Sequence, residues 1–162
     1  MENRIENPNK GLTVEGKWLI FHEFPANEIG LARHCNSFKI KLEDIKLIAI
    51  SPRLTLDDEE LFILIINSSL EIFAMPSRVF SSNEIINLEE YFELKSILLE
   101  WEKFDYNDHY AKFDMILFPK KLYWQNLFKN DIKLKCRKIL GGFVTKNFSG
   151  NFTKEVVDTA TK

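Results

Sequence analysis

The sequence predicts an α+β fold, an antiparallel sheet of five to seven strands with one principal helix packed on it. Two observations carry that expectation. Between residues 38 and 76 short apolar or alternating segments follow one another, separated by tight polar turns, the pattern of an antiparallel meander. From about residue 83 the apolar period lengthens to that of a helix, over some twenty residues. A chain of 162 residues with 45% hydrophobic and 28% charged side chains suits one domain spanning 1–162.

The first sixteen residues are polar and glycine-punctuated, and are expected to be poorly ordered. Lys17 to Phe24 clusters aromatic and β-branched residues and reads as the first strand, stopped by Pro25. Phe38-Lys39-Ile40-Lys41-Leu42 alternates apolar with basic residues, as a strand with one wet face does. Glu43-Asp44 is a turn, and Ile45 to Ile50 a further strand closed by Ser51-Pro52. The unbroken apolar run Leu61 to Ile66 reads as a central strand covered on both faces. Asn67-Ser68-Ser69 turns it into Leu70–Met75, which Pro76 stops.

Ser81 and Glu84 have capping-box spacing ahead of Ile85, Leu88, Phe92 and Leu99, which predicts a helix from about Asn83 to Lys103, with a break near Ser96. Asp114 to Phe118 reads as a strand ended by Pro119, Leu122 to Phe128 as a short helix, and Ile132 to Ile139 as an alternating strand that stops at Gly141-Gly142. The tail beyond about Ser149 is polar, and residues 150–162 are expected to fray.

Charge is distributed unevenly behind a formal net of −2. Residues 1–56 carry a net +1, residues 57–114 a net −10 and residues 115–162 a net +7. One account is internal: the basic C-terminal strand folds over the acidic helix, or both are solvated faces. The functional account is an acidic surface for a basic protein partner, because charge of one sign speeds and selects association. Its residues are Asp57, Asp58, Glu59, Glu60, Glu89, Glu90, Glu93 and Asp105, with Tyr91, Trp101 and Tyr106 as aromatic anchors.

Other classes find less. The basic stretch Lys129–Lys138, with Phe128 or Trp124 to stack on bases, suggests nucleic acid, but a pI of about 6.0 argues against it. The sequence holds no G-x-S-x-G, H-E-x-x-H, P-loop or G-x-G-x-x-G. Asp57/Asp58 with Glu93-Leu94-Lys95 loosely matches metal-dependent nucleases, except that their lysine element belongs on a strand. Cys35 and Cys136 read as reduced thiols, and His34 beside Cys35 lacks a second ligand pair at metal-binding spacing. No catalysis, cofactor or metal is expected. With no apolar leader and no run of the ~20 apolar residues that span a membrane, the expected location is the cytoplasm, and the Phe-, Asn- and Lys-rich, Ala-poor usage suggests a bacterium.

The stretch from Phe38 to about Phe92 carries a strand pair around Leu42-Glu43-Asp44-Ile45, the acidic turn Thr55–Glu59, an apolar strand, and the helix start Asn87-Leu88-Glu89-Glu90-Tyr91-Phe92. In this it resembles small bacterial proteins of the toxin-immunity type, some of which have a pleckstrin-homology-like sheet capped by one helix. The resemblance covers about a third of the chain and implies a cytoplasmic binder that neutralises a basic toxin or enzyme. A pleckstrin-homology-like adaptor or small-ligand module is the alternative, and it predicts a concave basic or apolar pocket.

Overall fold

The computed structural model describes residues 11–22, 35–54, 59–76, 82–101, 114–129, 133–139, 142–149 and 151–162, some of them by backbone alone. Among these residues nine strands form three antiparallel sheets. β1 (Gly11–Glu15), β2 (Trp18–His22) and β3 (Phe38–Lys41) make the first, in that order. The second has the order β6-β5-β4-β7, from β4 (Ile45–Leu54), β5 (Glu59–Asn67), β6 (Ile72–Pro76) and β7 (Met115–Phe118). β8 (Lys133–Ile139) and β9 (Gly142–Ser149) form a separate hairpin. Three helices also lie among the described residues: α1 (Ser82–Tyr91), α2 (Ile97–Trp101) and α3 (Lys154–Ala160). The α+β class and the antiparallel pairing agree with the sequence. The single sheet under one principal helix does not, because the strands divide among three sheets and the long helix is two.

The centre is β5. Residues 62–66 are fully buried along their whole length, as are Leu47–Ile50 on β4 beside them. Burial of consecutive residues means both faces of these strands are covered, which explains a continuous apolar run where an open sheet would alternate. The first sheet joins the same core: Phe38 on β3 stacks on Phe21 of β2 and on Phe73 of β6, with ring centroids 5.6 and 5.2 Å apart. α1 packs against β1, and α3 sets Val156 and Ala160 into the core against β4.

Several details depart from the sequence reading, each for a local reason. Gly11–Glu15 is a strand because Gly16, at φ +58°, closes a hairpin onto β2 in the register Glu15↔Trp18 to Gly11↔His22. β4 runs on through Pro52 to Leu54. Its pairing with β7 ends at Ile50, so the missing proline N–H costs no ladder bond to that neighbour. Glu43 and Asp44 lie in a 3-10 turn, Leu42–Asp44. After β5, the Asn67 side-chain oxygen accepts from the Ser69 and Glu71 N–H groups at 3.0 Å each, which shapes the turn into β6.

The short helix expected over Leu122–Phe128 is absent. Only Lys120–Leu122 forms a 3-10 turn, following a cis Phe118–Pro119 bond. Beyond it Trp124 sits at φ +62°, Gln125 N–H still bonds locally to Leu122 C=O, and the rest of the backbone turns back onto β7 and the residue before it: Trp124 N–H to Ile116 C=O, Ile116 N–H to Gln125 C=O and Leu127 N–H to Asp114 C=O. The tail, expected to fray, holds α3. Thr153 caps it, accepting from the Val156 N–H, and Phe152 stacks on Phe128 at 5.0 Å.

Candidate functional site

The feature that gathers functional side chains is the elbow between α1 and α2, together with the segment it faces. α1 buries Ile85, Leu88 and Phe92, spaced i, i+3 and i+7 along one stripe. It ends in a Schellman turn, with Leu94 N–H bonded to Glu89 C=O at 2.8 Å and Glu93 N–H to Glu90 C=O at 3.2 Å. That motif demands a left-handed residue, and Glu93 fills the position at φ +53°. α2 begins at once, its first amide capped: the Ile97 N–H donates to the Glu89 carboxylate at 2.6 Å. Negative charge at a helix N-terminus also meets the favourable end of the backbone dipoles. Glu89 therefore holds the elbow's angle.

α2 turns Glu100 inward. Its carboxylate is 1% exposed and accepts the Tyr123 hydroxyl at 2.5 Å, tying α2 to the segment after β7. Phe92 meets Phe118 of β7 edge-on at 4.9 Å, and Tyr91 covers Phe92 from outside at 4.8 Å. Between elbow and β7 lies a cleft of about 390 Å³. Its floor is Phe92, Leu117 and Glu100, all buried; Leu94, Phe118 and Tyr123 are half-buried walls. Glu93, Lys95 and Lys120 are exposed at the rim, and the Lys95 ammonium stands 4.9 Å over the Tyr123 ring.

Of the acidic and aromatic residues singled out by sequence, the elbow brings together Glu89, Glu90, Tyr91 and Glu93. Glu90, Tyr91 and Glu93 are exposed, whereas Glu89 is half-buried and engaged in the cap. Glu59 and Glu60 open β5 and Trp101 closes α2, described by backbone alone; Asp57, Asp58, Asp105 and Tyr106 lie outside the described residues. The lysine element of the nuclease pattern, Glu93-Leu94-Lys95, falls in the elbow and not on a strand. Phe128, a candidate for base stacking, is buried against Phe152. Cys35 is buried. Among the described residues no group of three His, Cys, Asp or Glu side chains is placed to hold a metal ion, and no helix is long and apolar enough to cross a membrane.

Sequence reasoning missed the cleft. Leu117, Phe118, Lys120 and Tyr123 come from a segment about twenty residues downstream of the elbow, where the sequence showed only a strand ended by Pro119. Comparison of the chain with protein-family models, with curated proteins and with solved structures finds no match in any of the three.

Proposed function

We propose that this chain is a non-catalytic binding domain that engages a basic protein surface through the α1–α2 elbow, as a cytoplasmic immunity-type protein engages a toxin. One observation carries the reading. Every large hydrophobic side chain that stands exposed among the described residues is on these two helices: Ile86 at 44%, Tyr91 at 56% and Leu99 at 59%. Apolar groups left in water on one element, and interleaved with charge, are the anatomy of an interface. The exposed charge beside them is mostly acidic, Glu90 and Glu93 with the half-buried Glu89 against Lys95, so a partner with Lys and Arg around an apolar centre is complementary.

The test is affinity capture from lysate of the source organism at low and high salt, repeated with Glu90→Lys/Glu93→Lys. Capture of a single basic protein, lost with rising salt and with charge reversal, supports the reading. Equal capture by the reversed variant refutes it. A second reading, a small-ligand module, is favoured by a separate observation, the apolar cleft with lysines at its rim.

A further inference from the structure

We propose that the cleft between the elbow and β7 binds a small aromatic carboxylate, its ring held by Phe92, Leu94, Phe118 and Tyr123 and its anionic group by Lys95 and Lys120. This names the ligand class for the small-ligand reading and does not depend on the protein-partner reading. Size fits first: about 390 Å³ lies at the small end of the ~300–1,000 Å³ of small-molecule sites. The lining fits next. The interior is aromatic and aliphatic, and Phe92 and Phe118 are already locked edge to face at 4.9 Å, so the walls need no rearrangement to accept a ring.

Charge then selects the sign. The rim carries two ammonium groups, Lys95 and Lys120, against one carboxylate, Glu93, and all three are solvent-exposed. Glu100 does not compete for a cation, because its carboxylate is closed off from solvent and takes the Tyr123 hydroxyl. It acts as a positioning residue, fixing the Tyr123 ring against which the Lys95 ammonium rests. A carboxylate arriving at the rim meets Lys95 already directed over the cleft wall, and gains charge-assisted hydrogen bonds. An amphipathic cation finds only Glu93.

The test is titration of the full chain, followed by amide NMR, with 3-phenylpropionate, 3-phenyl-1-propanol and 3-phenylpropylamine. The acid is expected to saturate with Kd of about a millimolar or below, as suits a ligand of this few atoms, shifting amides of residues 92–95 and 117–123. The alcohol should bind about tenfold more weakly, one charge-assisted contact being worth roughly that factor, and the amine more weakly still. Lys95→Gln/Lys120→Gln removes two exposed charges without touching the core, and should bring the acid down to the alcohol's affinity while leaving the alcohol unchanged. Tyr123→Phe should weaken both acid and alcohol, and the acid by the larger factor, since it loosens the wall and with it the ring on which the Lys95 ammonium rests. Three probes binding alike, the amine binding best, or an acid that does not saturate by ten times the expected Kd each overturns the proposal. Glu90→Lys, outside the cleft, should leave the titration unchanged, so a failed partner capture and a failed cleft are told apart.

Discussion

Removing one oxygen atom tests whether the elbow is held as described. Tyr123 and Glu100 are 23 positions apart and join α2 to the turn after β7 by a 2.5 Å bond. A hydrogen bond to a charged acceptor contributes about 1.5–3 kcal/mol. The lower end applies when water replaces the lost donor, but Glu100 is 1% exposed, so replacement requires opening the cleft floor. Tyr123→Phe is therefore expected to cost about 2 kcal/mol. With a urea m-value of roughly 2 kcal/mol/M for a domain this size, the midpoint should fall by about 1 M. Glu100→Gln keeps an acceptor oxygen in the same shape and should cost less, about 1 kcal/mol. The double variant should show a coupling near 1 kcal/mol, because residues in direct contact are not additive. The assay is urea unfolding followed by circular dichroism and by fluorescence, with coincident transitions required. A loss below about 0.3 kcal/mol for Tyr123→Phe, within the scatter of surface substitutions, would refute the claim that this bond fastens α2.

Glu93→Gly should raise stability by roughly 0.5–1 kcal/mol in the same assay, since the left-handed backbone at φ +53° strains a residue with a Cβ. Glu89→Ala should cost about 1 kcal/mol by removing the cap on the Ile97 amide, and Glu89→Gln should recover part of it, whereas a purely solvated Glu89 predicts no change. Ser51→Ala is expected to be neutral or stabilising by up to about 1 kcal/mol, because the Ser51 hydroxyl is fully buried with no hydrogen-bond partner among the described residues. Ile65→Ala, at the fully buried middle of β5, should cost about 2–5 kcal/mol, and a smaller loss would show that β5 is not the centre of the core.

What the sequence determined by itself is local. Period and punctuation decide where a strand or helix forms: β3, β4, β5 and β6 follow from alternation, apolar runs and turn residues, and the break in the long helix from Ser96 and the residues around it. The buried run at residues 62–66 announced a central strand, because only a strand covered on both faces can be apolar at every position. The exposed Glu90, Tyr91 and Glu93 were legible as well, since a helix with one apolar stripe leaves its other residues in water.

Only the tertiary structure decided which distant segments meet. β7 adds to β4 across some sixty intervening residues, and nothing in either segment's pattern encodes that choice of edge. The turn after β7 has helix-like composition, yet the Trp124 and Leu127 N–H groups bond back to Ile116 and Asp114 and not to the preceding turn, so tertiary hydrogen bonds override the local preference there. Glu89 reads from sequence as part of an acidic surface, and Glu100 lies in the same acidic stretch. Their fates diverge because a carboxylate near a helix N-terminus or a buried hydroxyl is drawn into that partner, and both partners exist only once the elbow has closed.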